Sequence, residues 1–266
     1  TYAYPAEDAI EGPLSALGWG GNGPPVATIA YDVYVGTDSA LVDTRQVPPQ
    51  PRTPFVQLLP AARWPLGAVF YWAVTAVQLQ TGERLNGALR RFRTLPADTP
   101  VDSLTLAVGA WGGASRTNAS LQRCSLNAIF SGPDFTAGVE WDLAPLPAGS
   151  RLAAARLVLH TAPAYAAQLA AAAPQVFAPQ NPWLACACGF PGPPYHDPTG
   201  FLANGVPGPD PLAVQFASDR LAAFLEAEES GLLSGGTTFA SNVPFEYFMS
   251  VGTAPYAVVT YYRSGP

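Results

Sequence analysis

The sequence predicts an all-β protein made of two antiparallel β-sandwiches in tandem. The chain of 266 residues contains 29 Pro and 25 Gly, numbers that are typical of many short strands joined by turns. Several runs alternate large apolar residues with polar ones at a period of two, whereas one run has helical spacing. At 48% hydrophobic and 12% charged residues, the chain is apolar enough to fold around a core.

The clearest strand pattern is IAYDVYVG, residues 29–36. One face of this strand holds Ile29, Tyr31, Val33 and Val35, and the other holds Ala30, Asp32 and Tyr34. Aromatic and β-branched residues at this period indicate a half-buried strand. The turn that follows, GTDS, contains a lone Asp38, which we interpret as a turn former rather than a calcium ligand.

A second alternating run, VFYWAVTAV, places Phe70, Trp72, Val74 and Ala76 on one face. The earlier run LSALGWGG brings Trp19 to an inward face as well. We therefore predict that Trp19 and Trp72 are core residues and not platforms for sugar rings. In this register Phe70 points inward and Tyr71 points outward.

The motifs L-x-W, YDVYVGTD, YWAVTAV and FRTL occur in an order that resembles a bacterial fibronectin type III-like domain. The resemblance covers residues 5–95 and implies a β-sandwich over residues 1–96. That family often carries a tyrosine at the start of the late strand, where its hydroxyl bonds back to the backbone. The inward residue here is Phe70, so either the register is shifted by one residue or packing alone holds this corner.

The segment PADTPVD is short, polar and rich in proline, and it predicts a domain boundary. We assign residues 97–102 to a linker and residues 103–266 to the second sandwich. Within this part, EWDLAPLPAGSRLAAARLVL and the terminal FAS…APYAVVTYY resemble a DNRLRE-type β-sandwich. This family of jelly-roll modules from bacterial surface proteins is related to some carbohydrate-binding modules, and the resemblance covers residues 103–162 and 212–266.

A divergent segment, residues 163–211, interrupts that resemblance. Its high Pro and Gly content and its aromatic residues predict a long, ordered, irregular loop inserted in the second sandwich. We regard it as a candidate surface for assembly or ligand binding, together with the N-terminal tyrosines. The candidate residues are Tyr2, Tyr4, Trp183, Phe190, Tyr195 and Phe201.

One helix is predicted in SDRLAAFLEAEESG, residues 218–231, where Leu221, Phe224 and Leu225 recur at helical spacing. Either Ser218 or Asp219 supplies the N-cap, and Gly231 supplies the C-cap. The apolar stripe is expected to pack on the sandwich. The acidic residues Glu226, Glu228 and Glu229 are expected to form a solvated face.

The chain has three cysteines, Cys124, Cys186 and Cys188. We predict a disulfide between Cys124 and one of the other two, which leaves one thiol unpaired. The alternatives are three free thiols, or a zinc site of the three thiolates and His196. Asn118 begins a sequence that fits an N-glycosylation site.

Other observations exclude several classes of function. The net charge is −6, and the longest basic cluster is Arg90, Arg91 and Arg93, which argues against nucleic-acid binding. No apolar run approaches the roughly 20 residues that span a bilayer. The chain lacks the GxSxG, Walker, HExxH and GxGxxG motifs. Neither His160 nor the pair His196–Asp197 defines a catalytic triad, so we predict a non-catalytic protein without cofactor or metal.

Together these observations predict a secreted structural or adhesion protein of the cell surface, with an extracellular fibre as one form of assembly. The chain starts at Thr1 rather than Met, as expected after removal of a signal peptide or trimming of a longer chain. The N-terminal TYAYPA is expected to add to a sheet edge of a neighbouring copy, in a head-to-tail contact. The alternatives are a carbohydrate-binding accessory module that recognises a surface polysaccharide, and a virion decoration or tail protein.

Overall fold

The computed structural model describes residues 2–20, 28–53, 57–115, 122–123, 128–132, 135–179, 196–208, 210–232, 236–248 and 254–263. The chain divides into two compact units, Thr1–Pro100 and Val101–Pro266. The described residues form nineteen strands and four short helices. The predicted all-β class is therefore confirmed.

The first unit contains eight strands and one helix within the described residues. They are β1 (Tyr2–Tyr4), β2 (Ile10–Glu11), β3 (Leu17–Gly20), β4 (Ile29–Gly36), α1 (Ser39–Asp43), β5 (Gln57–Leu58), β6 (Val69–Gln78), β7 (Arg84–Asn86) and β8 (Arg90–Thr94). One sheet has the order β1-β3-β5, and the other has the order β2-β8-β6-β4 with β7 paired to β6. The pair β2–β8 is parallel, and the remaining pairs in these two sheets are antiparallel.

The core of the first unit joins residues from both sheets, as the alternating runs predict. It consists of Leu17, Trp19, Val33, Phe70, Trp72, Val74 and Phe92. Trp72 is 1% exposed and Trp19 is 8% exposed, so the prediction that both are core residues is confirmed. Phe70 stacks on Phe92 with ring centroids 5.5 Å apart, and Tyr71 lies on the opposite face of β6. Aromatic packing therefore surrounds the start of β6.

Helix α1 begins at the turn that carries Asp38. The Asp38 Oδ1 atom accepts hydrogen bonds from the backbone N–H groups of Ala40 at 2.9 Å and Leu41 at 3.2 Å. This is the N-cap role expected of an aspartate before a helix. The helix places the buried Val42 against Tyr34 and Ala73, on the outer face of the larger sheet.

The second unit contains the remaining eleven strands and three helices of the described residues. They are β9 (Val101–Ser115), β10 (Gln122–Arg123), β11 (Ala128–Ser131), β12 (Phe135–Trp141), β13 (Arg151–Thr161), α2 (Pro163–Ala166), α3 (Leu169–Ala172), β14 (Gln175–Pro179), β15 (His196–Pro207), β16 (Ala213–Ala217), α4 (Asp219–Glu229), β17 (Thr237–Ala240), β18 (Phe245–Phe248) and β19 (Tyr256–Tyr262). Val101 and Asp102, which the sequence assigned to the linker, are the first residues of β9.

Eight of these strands form a closed ring of antiparallel pairs. The ring runs β9-β12-β17-β14-β15-β16-β13-β19 and returns to β9. Strand β9 pairs with β19 along its first half and with β12 along its second half. Strand β15 likewise pairs first with β14 and then with β16. These two long strands close the ring because each pairs with one neighbouring strand along its first part and with another along its second part.

The prediction of an irregular loop over residues 163–211 is wrong for the described part of that segment. Strands β14 and β15 both lie in this segment and belong to the ring, and helices α2 and α3 precede them. Prolines at both strands, such as Pro179 and Pro207, obscured the strand pattern, because proline weakens a strand assignment from sequence. The segment is thus part of the body of the second unit.

Helix α4 confirms the predicted helix and its ends. The Ser218 hydroxyl accepts the N–H of Leu221 at 3.0 Å, and Gly231 has a left-handed backbone with φ of 72°. The predicted solvated acidic face is wrong for Glu226, which is 1% exposed. Its Oε2 atom accepts the N–H of Leu152 at 2.5 Å, beside an irregularity at which β13 has one more residue than β19.

We expect the substitution Glu226→Ala to lower the free energy of unfolding by about 1–3 kcal/mol, because the buried Leu152 N–H loses its acceptor. The exposed Arg220 lies on the same helix, and Arg220→Ala is the control, with an expected change within about 0.5 kcal/mol. Scanning calorimetry measures both. A loss for Glu226→Ala no larger than that of the control would contradict the role given to this carboxylate.

Candidate functional site

The N-terminal strand β1 lies at the edge of the three-stranded sheet of the first unit. It pairs antiparallel with β3, in a register that aligns Tyr2 with Gly20, Ala3 with Trp19 and Tyr4 with Gly18. Among the described residues β1 has a paired strand on this one side. Strand β1 is thus an edge of this sheet among the described residues.

The Tyr4 side chain ties β1 to a buried carboxylate. Its hydroxyl donates to Glu11 Oε2 at 2.9 Å, and the Ser15 hydroxyl donates to the same oxygen at 2.9 Å. Ser15 in turn accepts the N–H of Gly12 at 3.1 Å. Glu11 is 1% exposed, so these donors satisfy a charge that would be costly to bury alone.

Strand β1 also covers part of the aromatic core. Ala3 packs against the core cluster that contains Leu17 and Trp19. The Trp19 ring meets Tyr31 edge-on, with centroids 5.5 Å apart, and lies 6.5 Å from the Trp72 ring. Departure of β1 would therefore expose backbone along β3 and the side of a buried tryptophan.

The β4 edge of the larger sheet is covered. The outer side of β4 is bridged by residues 50–53, where Tyr31 donates its N–H to the Thr53 carbonyl at 2.8 Å and Gln50 donates to the Val33 carbonyl at 2.8 Å. In the second unit, the ring strands have neighbours on both sides. Among the described residues, β1 and β5 are thus the two edges of the three-stranded sheet, and unpaired strand edges are sites where another chain can add.

An ion-paired cluster lies on the outer face of the larger sheet of the first unit. Asp32 accepts two hydrogen bonds from Arg52, at 2.7 and 3.0 Å, and one from Arg84 at 2.8 Å. The Arg84 guanidinium also donates to the Tyr34 hydroxyl at 3.1 Å. The hydrogen bonds from Arg52, aided by those from Arg84, lower the pKa of Asp32 despite the opposing effect of burial. The cluster fixes Asp32 in its charged form.

A second acidic group lies at the end of helix α4. Glu228 is on the last turn of α4 and Glu140 is on β12. Among the described residues, neither Glu228 Oε1 nor Glu140 Oε2 has a hydrogen-bond partner, although both atoms are buried. Burial, followed by the charge of Glu140, raises the pKa of Glu228 well above its usual range.

Most of the predicted surface and cysteine residues lie outside the described residues. They are Trp183, Phe190, Tyr195, Asn118, Cys124, Cys186 and Cys188. Phe201 is described: it lies on β15, opposite Phe177, and packs edge-on against that ring with centroids 5.8 Å apart. The predicted disulfide, glycosylation site and aromatic surface remain predictions.

One contact of a histidine escaped the sequence analysis. The His160 Nε2 atom on β13 lies 3.7 Å from Asp210 Oδ2, on the segment that precedes β16. The two residues are fifty positions apart and share no local pattern, so only the pairing of β13 with β16 brings them together. Within the described ranges, no group of three His, Cys, Asp or Glu residues could hold a metal ion, and no helix is long and apolar enough to cross a membrane.

Comparison with known proteins gives no family. No protein-family model matches the chain, and no curated protein matches it. Among solved structures, the alpha-L-rhamnosidase from Dictyoglumus thermophilum is 8% identical with a TM-score of 0.29, over 98% of this chain and 29% of that enzyme. The Streptomyces avermitilis alpha-L-rhamnosidase, solved in complex with L-rhamnose, is 12% identical with a TM-score of 0.28, over 97% of this chain and 22% of that enzyme.

A domain of an antigen I/II-family protein is also among the similar structures. The C-terminal domain of the Streptococcus pyogenes antigen I/II-family protein AspA is 10% identical with a TM-score of 0.21, over 97% of this chain and 87% of that domain. By contrast, the chain spans less than a third of the length of either rhamnosidase. All three TM-scores lie below 0.3, so these likenesses assign neither a family nor an activity to the chain.

We expect Tyr4→Phe to loosen β1 by about 1 kcal/mol, because Glu11 loses one of its hydrogen-bond donors. Hydrogen–deuterium exchange of the amides in residues 2–4 and 17–20 is expected to accelerate several-fold, while the second unit stays unchanged. Tyr262→Phe on β19 is the matched control and leaves this exchange at the wild-type rate. Equal protection of β1 in Tyr4→Phe and wild type would show that the hydroxyl does not hold the strand.

We expect Asp32→Asn to lower the thermal stability of the first unit at pH 7, because two arginines lose their carboxylate partner. The folded-state pKa of Asp32 is below its ordinary value of 3.8. Its charge therefore contributes stability above that value, and the contribution is lost as the pH falls below it. The gap in melting temperature between variant and wild type is thus expected to narrow toward a pH of about 3.

Asp98→Asn, at an exposed position, is the control and is expected to show no such gap. A gap between Asp32→Asn and wild type that is constant with pH would contradict the role given to the Asp32 charge.

Proposed function

We propose that this protein is a non-catalytic structural subunit of an extracellular or cell-surface assembly, in which copies associate through their N-terminal strands. The observation that carries the proposal is the position of β1. It is a three-residue strand at a sheet edge, and it contributes both Ala3 to the core and Tyr4 to the buried Glu11. A short edge strand with such specific contacts can be exchanged between identical copies.

The exchange keeps every contact of the strand. The partners of Tyr4 and Ala3 are the same whether β1 comes from its own chain or from a neighbour, so the enthalpy of the contact changes little and protein concentration decides the balance. If each copy gives its strand to the next, the contact is head-to-tail and produces a ring or a filament. Residues 5–9 connect β1 to β2 and would have to change path in the exchanged form.

We also propose finer assignments of the two units. Two sheets packed around an aromatic core, with Trp19 facing Trp72, support a fibronectin type III-like sandwich for the first unit. Two long strands that each pair in both halves of the ring, β9 and β15, support a jelly-roll sandwich of the DNRLRE type for the second. The extracellular location rests on the resemblance to surface modules of this kind.

Three of the buried acids have structural roles, and this supports the non-catalytic part of the proposal. Glu11, Asp32 and Glu226 each accept hydrogen bonds that hold strands or a helix in place. Carboxylates that act as general acids or bases need a free position for the reacting group. These three are instead occupied by donors of their own chain.

A disulfide trap tests the exchange directly. Tyr4 and Gly18 are aligned across β1 and β3, so their Cα atoms are about 4.5–5.5 Å apart, within reach of a disulfide. In the double variant Tyr4→Cys/Gly18→Cys, oxidised at high protein concentration, exchange gives multimers linked by disulfides on a non-reducing gel. A strand that stays in its own chain gives a cross-linked monomer.

Controls separate this result from other causes. The single variants Tyr4→Cys and Gly18→Cys report any cross-linking through the three native cysteines. Deletion of residues 1–6 is expected to abolish assembly measured by light scattering and electron microscopy. A wild-type protein that stays a 27.8 kDa monomer at all concentrations, or assemblies that persist after the deletion, would overturn the proposal.

A further inference from the structure

We propose that the turn of residues 6–9, fastened by an ion pair between Asp8 and Arg91, is a latch that holds strand β1 in its own chain and releases it for exchange when the ion pair is broken. The inference rests on the proposed association of copies through β1 and adds its control. It is carried by the hydrogen bonds and the ion pair that fix the chain between β1 and β2.

The turn lies where the chain passes from one sheet of the first unit to the other. Strand β1 belongs to the three-stranded sheet, whereas β2 belongs to the larger sheet and pairs with β8. The Ala9 carbonyl accepts the N–H of Arg93 on β8 at 2.8 Å, so the chain is fixed to the larger sheet from Ala9 onward. Residues 5–8 are therefore the stretch that changes path when β1 leaves.

A hydrogen-bonded turn shortens this connection. The Ala9 N–H donates to the Ala6 carbonyl at 3.1 Å, which is the bond that closes a β-turn. Such a turn keeps its first and fourth Cα atoms within about 7 Å, whereas three extended steps cover about 10 Å. Asp8 has a left-handed φ of 63°, which is uncommon for a residue other than glycine. Opening the turn thus lengthens the connection and relaxes the backbone at Asp8.

Arg91 on β8 holds Asp8 in this conformation. Its Nε donates to Asp8 Oδ1 at 2.5 Å, and its Nη2 donates to Oδ2 at 2.7 Å, the bidentate geometry that gives strong arginine–carboxylate pairs. The Arg91 carbonyl also accepts the Asp8 N–H at 3.1 Å, and the Arg91 N–H donates to Glu7 Oε2 at 3.3 Å. The hydrogen bond from Arg91 lowers the pKa of Asp8, so the pair is charged at neutral pH.

The latch is at the surface, where it can open without disturbing the core. Residues 6–8 are exposed, whereas Pro5 is buried. The side chains of Arg91 and Asp8 are 40% and 46% exposed, and dissolved salt screens an ion pair in such a position. Opening the turn therefore breaks surface contacts first, and the core contacts of β1 are lost only in a second step.

The first test compares wild type with Asp8→Asn in the full chain. Asparagine keeps the shape of the side chain and tolerates a left-handed backbone, but it carries no charge. Hydrogen–deuterium exchange of residues 2–4 and 17–20 is expected to accelerate by about two- to fivefold. In the Tyr4→Cys/Gly18→Cys background, the share of disulfide-linked multimers at a fixed protein concentration is expected to rise in the same direction. Asp98→Asn is the control and is expected to change neither readout.

Further variants separate the ion pair from the shape of the turn. Arg91→Gln removes the other partner, and the double variant Asp8→Asn/Arg91→Gln is expected to open β1 no faster than either single variant, because all three remove the same interaction. Asp8→Pro cannot adopt a φ of 63° and has no N–H for the Arg91 carbonyl. It is therefore expected to give more multimers than any of the other variants.

Salt provides a test that leaves the sequence unchanged. Raising sodium chloride from about 50 mM to 1 M is expected to bring the opening rate of β1 in wild type close to that of Asp8→Asn, because the exposed ion pair is screened. The rate in Asp8→Asn is expected to change much less, since the variant has no ion pair at this position.

The two readouts distinguish failure of the latch from failure of the exchange. Equal protection of β1 in wild type, Asp8→Asn and Asp8→Pro would overturn the latch, whether or not multimers form. Additive effects of Asp8→Asn and Arg91→Gln would likewise overturn it, because the two residues would then act separately. Faster opening in Asp8→Asn together with cross-linked monomers in every variant would overturn the exchange between copies, and the latch would then be a contact within a single chain.

Discussion

The need to pair the edges of strands is the constraint on which this structure depends. Each exposed edge presents unpaired N–H and C=O groups that invite other chains. In the second unit β9 and β15 are long enough to pair in two places, so eight strands form a ring whose members have neighbours on both sides. In the first unit residues 50–53 cover β4, and the short β1 is left at an edge. The same constraint thus explains both the closed pairing of one unit and the candidate assembly strand of the other.

Carboxylates differ in how this molecule satisfies them. Glu11 and Glu226 accept hydrogen bonds where the chain enters or leaves regular pairing, so they stabilise specific contacts between elements. Glu140 and Glu228 each have one buried oxygen without a hydrogen-bond partner among the described residues. The difference lies in the donors around each group rather than in the residue type, since all four are glutamates.

The proposed function follows from the short length and the specific contacts of the edge strand. Strand β1 has three residues, of which Ala3 packs on the core and Tyr4 donates its hydroxyl to Glu11. Such a strand is specific enough to find one position and small enough to leave it, which a long central strand such as β6 is not.

The sequence by itself determined the local features of this protein. The alternation in residues 29–36 and 69–77 identified which side of each strand is buried, because a period of two assigns every residue to a face. Helix α4 and its capping residues Ser218 and Gly231 were also predictable, since caps and helical spacing are local signals.

Only the tertiary structure decided what depends on residues far apart in the chain. The ring through β14 and β15 and the burial of Glu226 beside Leu152 both require strand pairing and helix packing across long separations. A local pattern carries no information about such partners. The acidic face of α4 was therefore predicted to be solvated, although its Glu226 is buried and accepts the N–H of Leu152.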